Sequence, residues 1–426
     1  MDIIGTRNLR RVLEDKVHRF GSKEFIVFED AEGYVVTYTY RQFDEIVNRY
    51  ANIILSKGIK KGDKIAIHLL NSPEYLFSLF ALAKIGAIMV PTNILSGALE
   101  MEYFIDFADC VGIITEPGYM DLCTSIAGTC KKLQHIFLVK TSPEYPNARL
   151  FPNATIMADE LKEASVQVPE VSISVEDDLM MLFNHAPVRP KAVQLTHANA
   201  LFAGIFGAQA WKVVPEDRHM LTLPLFHINA LFISLMPTLV AGATLILIEQ
   251  FNAARYMEQV RSHRATTASL VGAMVRMILK EPPTEHDAGN ALRLIMYAIA
   301  VSDEEWDTFE SRFQVKLCDL WGMTETLGAT TINPLDGIMK KNCVGIPRLG
   351  TAVKVVDHNG AEVSPGTVGE LIVHGEPGRT IMKGYYKDAE ATRETIRDGW
   401  LHTGDYAYMD EDGYFHFIGR QKAPSA

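Results

Sequence analysis

Residues 61–93, KGDKIAIHLLNSPEYLFSLFALAKIGAIMVPTN, contain three apolar segments with different spacings. The segment from Lys64 to Leu69 is short and rich in isoleucine, which is typical of a buried strand. The apolar segment from Tyr75 to Lys84 is long enough for a helix, and a second short strand ends at Val90. A strand, a helix and a strand in this order predict one crossover unit of a parallel sheet.

The same alternation continues on both sides of this unit. ADCVGIITEP (108–117) and LQHIFLVK (133–140) predict two further buried strands, and YTYRQFDEIVNRYANIILSKGI predicts a helix that ends near Gly58. Between residues 218 and 322 the strand candidates are HMLTLPLFH, GATLILIE, TTASLVG, LRLIMYA and VKLCDLWG. Helical patterns separate these strands, so we predict a second α/β unit whose sheet is covered by helices on both faces.

The pattern changes after about residue 345. Alternating apolar residues surround Asn359-Gly360 and Pro365-Gly366, and a further turn is predicted near Asp412-Gly413. We therefore predict an α/β fold with two mostly parallel, helix-flanked sheet subdomains and a smaller antiparallel β subdomain. The predicted boundaries are 1–177, 178–344 and 345–422, followed by a tail without a motif at 423–426.

Composition bears on three properties: nucleic-acid binding, the redox state of the cysteines and membrane insertion. The formal net charge of −11 at pH 7 disfavours nucleic acid. The five cysteines are odd in number and form no CxxC pair, so we expect reduced thiols in a cytoplasmic protein. Pro237 and Gly242 interrupt the longest apolar stretch, 231–248, which predicts a buried helix, a turn and a strand rather than a membrane span.

A series of motifs extends along the chain: LAKIGAIMVPTN (82–93), RPKAVQLTHAN (189–199), LPLFHINAL (223–231), LWGMTET (320–326), GELIVHGEPGRTIMKGYY (369–386) and DGWLHTGDYAYMDEDGYFHFIGR (398–420). In this order the motifs resemble those of the adenylate-forming enzymes, which include acyl-CoA synthetases, luciferases and peptide-synthetase adenylation domains. The resemblance covers nearly the whole chain. The opening MDIIGTRNLRRV and the phrase LAKIGAIMVP are most similar to the crotonobetaine/carnitine–CoA ligase branch.

The resemblance implies a reaction and a set of cofactors. Family members join a carboxylate to ATP, which gives an acyl adenylate and pyrophosphate, and in most of them a thiol then displaces AMP. A small-molecule carboxylate, ATP and AMP, Mg²⁺ and coenzyme A are therefore the implied ligands. The first step needs positioning and neutralisation of phosphate charge more than covalent help from the protein.

The motif LWGMTET supplies most of the implied nucleotide contacts. Trp321 stands where the family usually has tyrosine, and its ring could stack on adenine. Gly322 belongs to the same nucleotide-binding group, and Thr324 could donate a hydrogen bond to the α-phosphate. Glu325 is implied as a catalytic residue that binds magnesium through a hard oxygen ligand.

Other motifs supply the remaining implied site residues. Asp405, in HTGD, matches the aspartate that holds the ribose hydroxyls, and Arg420, in FIGR, matches a second ribose or phosphate contact. Lys191 matches the catalytic lysine of the phosphate loop, and Arg189 could add a second cation. Taken alone, these two residues would be read as a surface pair. His227 matches a catalytic histidine of the acyl site, although a histidine among apolar residues is more often a core group.

The phosphate loop departs from the family pattern, which resembles T-S-G-T-T-G-x-P-K-G. Residues 184–188, NHAPV, lack its hydroxyls and glycines, leave the loop one residue short, and precede Ala192 in place of the final glycine. Glycine permits the turns that aim several N–H groups at one anion, and Pro187 removes one N–H. We therefore expect weakened binding of a triphosphate.

Three hypotheses remain open at this stage. The first is the large domain of an ATP-dependent carboxylate–CoA ligase with reduced activity, because the loop is altered and the chain ends at GRQKAPSA, before the family's small C-terminal domain. The second is a non-catalytic or engineered binding scaffold, and the third is different chemistry at His185. A quaternary ammonium substrate would need an aromatic wall, for which Trp211 and Tyr297 are candidates. The sequence leaves the oligomeric state open.

Overall fold

The computed structural model describes residues 3–140, 154–184 and 189–420. The chain divides into two compact units. Unit 1 contains residues 1–201, 224–227 and 247–249, and unit 2 contains residues 202–223, 228–246 and 250–426. The division into three subdomains with boundaries at 177 and 344 stays a prediction, and the tail at 423–426 lies outside the described residues.

Unit 1 is built around one mixed sheet. Its elements are α1 Leu9–Phe20, β1 Glu24–Glu29, β2 Val35–Thr39, α2 Tyr40–Ser56, β3 Lys64–His68, α3 Pro73–Ile85, β4 Ile88–Pro91, α4 Ala98–Phe107, β5 Cys110–Thr115, a 3-10 helix Pro117–Tyr119, α5 Met120–Ala127, β6 His135–Leu138, β7 Ala154–Ile156, α6 Met157–Glu160, β8 Asp178–Phe183 and β9 Ala192–Thr196. The strand order is β9-β8-β4-β3-β5-β6-β7. The pairs β8-β4, β4-β3, β3-β5, β5-β6 and β6-β7 are parallel, whereas β8 and β9 are antiparallel.

The predicted crossover unit is confirmed as β3–α3–β4. The Ser72 hydroxyl caps α3 by accepting a hydrogen bond from the Tyr75 N–H at 3.2 Å, and Pro73 occupies the first turn, where no N–H is needed. Gly86 ends the helix with φ 71°, the left-handed conformation that glycine tolerates. Every residue of α3 except Glu74 is buried, which explains why the rest of its sequence is largely apolar on all sides.

Unit 2 contains a second mostly parallel sheet and an antiparallel one. Its elements from the boundary onward are α7 His197–Ala210, β10 Arg218–Leu221, a π-helical segment Asn229–Leu235, α8 Met236–Ala241, β11 Thr244–Ile248, α9 Ala253–Ser262, β12 Thr267–Val271, α10 Gly272–Lys280, β13 Leu294–Ala298, α11 Asp303–Phe313, β14 Lys316–Met323, β15 Gly328–Ile332, β16 Ile346–Pro347, β17 Ala352–Val356, β18 Gly369–His374, β19 Gly384–Tyr385, α12 Ala389–Thr395, β20 Ile396–Arg397, β21 Trp400–Met409 and β22 Phe415–Arg420.

The first sheet of unit 2 has the order β16-β15-β14-β13-β12-β10-β11. The pairs β10-β12, β12-β13 and β13-β14 are parallel, while β14-β15 and β15-β16 are antiparallel. Trp211 lies in the core cluster of this unit together with Leu294, Met296 and Leu320. The interpretation of Trp211 as a substrate wall is therefore wrong, because only 1% of its surface is exposed and its ring packs in the core.

The second sheet of unit 2 confirms the predicted antiparallel β region. Its order is β17-β18-β21-β20, and β22 pairs with β21. Gly360, with φ 82°, closes a turn in which its N–H donates to the Asp357 carbonyl at 3.0 Å. Gly413, with φ 84°, closes the turn between β21 and β22, in which its N–H donates to the Asp410 carbonyl. Both turns were predicted from the sequence, and each uses glycine at a positive φ.

The long apolar stretch is not one continuous helix. It forms the π-helical segment, α8, a left-handed turn at Gly242 with φ 78°, and β11, as the sequence predicted. Across the three described ranges, no helix has both the length and the apolarity that crossing a membrane requires. All five cysteines are buried free thiols.

Candidate functional site

A cavity of about 600 Å³ opens at the C-terminal ends of β13 and β14 in unit 2. In open α/β sheets this is the edge where ligands bind. Residues from five segments line it: 298–300, 319–322, 342–344, Asp405 of β21, and Phe417 and Arg420 of β22. The cavity therefore brings together four of the predicted site residues, which come from the two motifs at 320–326 and 398–420: Trp321, Gly322, Asp405 and Arg420.

Asp405 is the centre of the polar contacts in this cavity. Its Oδ2 accepts a hydrogen bond from the indole N–H of Trp321 at 2.9 Å, and its Oδ1 accepts from Nε of Arg420 at 2.6 Å. Strands β21 and β22 place Asp405 directly opposite Arg420 in their register. The hydrogen bond to Asp405 is the main cause that raises the pKa of Arg420. A carboxylate offers about four acceptor positions, so two remain available for a ligand.

Gly322 is needed for close packing of the backbone at this point. A Cβ at Gly322 would lie 1.6 Å from the Gly328 carbonyl oxygen on the neighbouring strand β15. The motif LWGMTET predicts that Gly322 belongs to the nucleotide contacts. The structure shows in addition that a side chain at this position would clash with β15. Thr324 follows in a turn in which its carbonyl accepts a hydrogen bond from the Leu327 N–H at 3.1 Å. Its side chain is half-buried.

Glu325 is 1% exposed and is held from two directions. The Tyr385 hydroxyl donates to its Oε1 at 2.9 Å, and the Met382 N–H donates to its carbonyl at 2.9 Å. Burial, and then the nearby carboxylate, raise the pKa of Tyr385, so the phenol stays protonated and keeps its donor role. Tyr385 lies in the motif GELIVHGEPGRTIMKGYY, but the sequence analysis assigned it no role.

The described residues contain no group of three or more His, Cys, Asp or Glu side chains that could hold a metal ion. A site with a single carboxylate is nevertheless compatible with Mg²⁺, because this ion commonly keeps several waters and binds through one or two carboxylates together with substrate phosphates. The donor chemistry of Glu325, a carboxylate oxygen, therefore fits a magnesium ion that a nucleotide would bring. It does not fit an ion held by protein alone.

Lys191 lies in unit 1, at the connection between β8 and β9. Its N–H donates to Oδ1 of Asn184 at 2.9 Å, and its carbonyl accepts from the Asn184 N–H at 3.0 Å. The bond between the Asn184 N–H and the Lys191 carbonyl continues the antiparallel ladder, and the bond to the Asn184 side chain closes the pair, so both ends of the connection are fixed. His185 to Val188, where the loop departs most from the family, lie outside the described residues, as does the proposed chemistry of His185.

Arg189 is engaged by helix α4. Its guanidinium lies 5.0 Å from the ring centre of Tyr103 and 5.4 Å from that of Phe107, and its Nε donates to the Tyr103 hydroxyl at 3.1 Å. The same hydroxyl donates to the Pro190 carbonyl at 2.9 Å. Tyr103 thus anchors the segment just before Lys191. The sequence of α4 contains no motif that marks Tyr103, so this residue could not be predicted as part of the site.

His227 also belongs to unit 1 and lines a smaller cavity of about 230 Å³. Asn184, Pro190, Phe226 and Glu100 are among the other lining residues. The His227 ring centre lies 4.3 Å from that of Phe226, and its N–H donates to the Pro224 carbonyl at 3.1 Å. His227 is half-buried beside a cavity rather than enclosed in the core.

Two further residues of the unit 2 cavity were missed from the sequence. Asp319 is 3% exposed, and burial raises its pKa to about 7. Tyr297, 1% exposed, donates its hydroxyl to Asp319, so the interpretation of Tyr297 as a substrate wall is wrong. Ile299 has φ 70°, is 67% exposed and lines the cavity. A β-branched residue in this conformation is an outlier that no sequence pattern signals.

Comparison with known proteins gives a consistent result. The sequence model of the family described as "AMP-binding enzyme" matches residues 13–386. A crotonobetaine/carnitine–CoA ligase of Salmonella paratyphi A is 35% identical over 428 residues, which cover 99% of this chain and 81% of the relative.

Solved structures have the same fold. The inhibitor-bound N-terminal domain of FACL13 from Mycobacterium tuberculosis superposes with a TM-score of 0.87 at 22% identity, covering 97% of this chain and 100% of that one. An ATP-bound RpMatB-BxBclM chimera, B1, has a TM-score of 0.85 at 26% identity, covering 97% of this chain and 78% of that one. The predicted α/β fold with two mostly parallel sheets and an antiparallel sheet is therefore confirmed.

Proposed function

Because the chain belongs to the AMP-binding enzyme family, as the large domain of an adenylate-forming acyl-CoA ligase, we propose that the unit 2 cavity binds the adenosine part of AMP and ATP. One observation carries this proposal. An aromatic ring, Trp321, and a buried carboxylate, Asp405, line the same cavity and are hydrogen-bonded to each other. Adenine stacks on aromatic rings, and ribose hydroxyls donate to carboxylates.

The phosphates are assigned to a second set of residues. Thr324 and Arg420 are the proposed donors toward the α-phosphate and the ribose, and Glu325 is the proposed carboxylate ligand of Mg²⁺. Lys191 is proposed as the point charge that offsets the outer phosphates, as its RPKAV motif suggests. When bound, Mg²⁺ would neutralise phosphate charge in the transfer step.

We further propose that binding of the triphosphate is weak in this chain. Among residues 184–188, NHAPV, there is no glycine, no hydroxyl and one proline. Such a sequence offers fewer N–H and O–H donors to a phosphate group than the family loop does. The nucleoside contacts are retained, so the expected defect concerns the β- and γ-phosphates.

The proposed substrate is a small carboxylate of the crotonobetaine or carnitine type, and the proposed thiol is coenzyme A. The support is the 35% identity over 99% of the chain to a crotonobetaine/carnitine–CoA ligase. His227 is proposed at the acyl side, since it borders a cavity lined by Phe226 and Glu100. An acidic and aromatic surface suits a quaternary ammonium group.

The test combines a binding and an exchange measurement. Calorimetry with AMP should give a dissociation constant, and Asp405→Asn should weaken it while Asp412→Asn, an exposed aspartate of the β21–β22 turn, should leave it unchanged. Carboxylate-dependent pyrophosphate exchange, measured with crotonobetaine, carnitine and an unrelated carboxylate, should be slow and should prefer the first two. Absence of AMP binding by the unmodified chain would overturn the proposal.

The altered loop also favours a second candidate, a non-catalytic nucleotide-binding protein. The same experiment separates the two functions. AMP binding together with measurable exchange supports the ligase, whereas AMP binding without exchange for any carboxylate supports the binding protein.

A further inference from the structure

The indole N–H of Trp321 has a role that ring stacking does not require. We propose that Trp321 is a positioning residue for Asp405, and that its N–H holds the carboxylate in the orientation that receives the ribose hydroxyls. This inference rests on the proposed nucleotide site. It gives Trp321 two functions, one for its ring face and one for its N–H.

The geometry around Asp405 supports this role. Each carboxylate oxygen has one donor, and the two donors come from different strands: Trp321 on β14 at 2.9 Å and Arg420 on β22 at 2.6 Å. A carboxylate that is hydrogen-bonded at both oxygens is restrained from rotating about its terminal torsion, which is otherwise broad. The remaining acceptor positions then face a fixed direction.

The two donors differ in rigidity. The Arg420 side chain is 56% exposed, so water competes for its bond to Asp405. Trp321 and Asp405 are 7% and 4% exposed, and a hydrogen bond to a charged group is stronger in such surroundings. The Trp321 ring also has few torsions to fix. Of the two donors, Trp321 is therefore the one that sets the orientation of the carboxylate.

This contact depends on tryptophan. The family usually has tyrosine at this position, and a phenol carries its only donor at the end of the ring farthest from Cβ. The indole carries its N–H on the five-membered ring, nearer the backbone. A tyrosine at this position keeps an aromatic face for adenine, but its hydroxyl lies elsewhere. The replacement of the usual tyrosine by tryptophan thus gives Asp405 a hydrogen-bond donor that a tyrosine at this position would not provide.

A comparison of two ligands separates the two functions of Trp321. Stacking acts on the adenine of AMP and of 2′,3′-dideoxy-AMP alike, whereas the orientation of Asp405 matters only for a ligand with ribose hydroxyls. Calorimetry should therefore be performed with both ligands on the unmodified chain and on Trp321→Phe. We expect the variant to lose roughly tenfold more affinity for AMP than for the dideoxy compound, the size of one hydrogen bond to a charged group.

Two further variants make the result interpretable. Trp400→Phe removes an indole N–H from a ring that packs against His374 and lies outside the cavity lining, and it should leave both affinities unchanged. Trp321→Tyr restores the usual family residue and should show the same selective loss as Trp321→Phe. It also serves as the test if Trp321→Phe fails to fold, which a thermal melt would reveal.

The outcomes distinguish this inference from the proposed function. Failure of the unmodified chain to bind AMP contradicts the proposed function itself. AMP binding with equal losses for both ligands in the Trp321 variants leaves the proposed function standing and overturns the positioning role, because Trp321 would then act by stacking alone.

Discussion

The cavity around Trp321 and Asp405 and the segment around Lys191 both depart from the family sequence, but with different chemical consequences. In the cavity, tryptophan replaces tyrosine, which keeps an aromatic ring and adds an indole N–H that bonds Asp405 at 2.9 Å. In the phosphate loop, residues 184–188 replace hydroxyls and glycines by groups that provide fewer donors. We propose that the first change retains the chemistry that recognises the nucleoside and that the second weakens the chemistry that recognises the outer phosphates.

The flanks of the phosphate loop sharpen this contrast. The Asn184 N–H donates to the Lys191 carbonyl, the Lys191 N–H donates to the Asn184 side-chain oxygen, and Tyr103 anchors Arg189 and Pro190. The segment that carries the lysine is therefore held in a defined conformation. The loss proposed for triphosphate binding lies in the donors of the loop itself, not in the support of its ends.

The largest expected effect comes from restoring the loop. Replacing residues 184–188 by the family's hydroxyl- and glycine-containing sequence, including the missing residue and Ala192→Gly, should raise ATP affinity by about a hundredfold through several new hydrogen bonds to phosphate. AMP affinity should change little. Calorimetry with both nucleotides measures the effect, and Lys191→Ala in the restored chain is the control that should lower ATP affinity again. An unchanged ATP affinity would show that the loop is not the cause.

Asp405→Ala should have the next largest effect, and on the nucleoside side. It removes the acceptor for the ribose and leaves the Trp321 N–H and the Arg420 guanidinium without their partner, so AMP binding should weaken by about 2 kcal/mol. ATP binding should weaken by a similar amount, because both nucleotides carry the same ribose. A loss confined to ATP would contradict the assignment of Asp405.

Asp319 should give the cavity a pH-dependent stability. Burial raises its pKa to about 7, so between its usual value and about 7 the folded chain binds a proton that the unfolded chain has released. The contribution of Asp319 to the free energy of unfolding is therefore most favourable at low pH, and it falls as the pH rises toward about 7. Asp319→Asn removes this loss, so the stability of the variant relative to the unmodified chain should increase by about 2–3 kcal/mol between pH 5 and pH 8. Urea unfolding of the variant and of the unmodified chain at pH 5 and pH 8 measures this change. An equal difference in their free energies of unfolding at both pH values would contradict the raised pKa of Asp319.

The smallest predicted effect belongs to the loop flank. Tyr103→Phe removes the hydroxyl that bonds Arg189 and Pro190, and this should cost about 1 kcal/mol of ATP affinity in the chain with the restored loop. AMP affinity should stay the same. Tyr256→Phe, which removes a buried hydroxyl from unit 2, is the matched control. A comparable loss of AMP affinity in Tyr103→Phe would indicate a general structural effect instead of positioning of the lysine segment.

Periodicity predicted the local parts of the fold well. The β3–α3–β4 unit and the turns at Gly360 and Gly413 followed from residue spacing and turn chemistry, because their determinants lie within a few residues. The antiparallel pairing of β8 with β9 was not predicted. Both strands are short and apolar, and the direction of pairing depends on a connection whose sequence has no standard turn signal.

The site could be predicted only as far as the motifs extend. Trp321, Asp405 and Arg420 were each named from a motif, but the bond between Trp321 and Asp405 joins residues 84 positions apart and has no local signature. Tyr103 and Ile299 were missed for the same reason. Trp211 was assigned to the wrong environment, because a large aromatic residue after an apolar helix fits a core and a pocket wall equally well in sequence.

Titrating the unmodified chain with AMP and with ATP in the presence of Mg²⁺, by calorimetry under identical conditions, tests the central claim most directly. The proposed nucleoside contacts and the proposed loss of phosphate donors together predict that AMP binds at least as tightly as ATP, so that the added phosphates bring no gain in affinity. ATP binding about tenfold or more tighter than AMP, the gain expected when a loop and a lysine hold the outer phosphates, would contradict it.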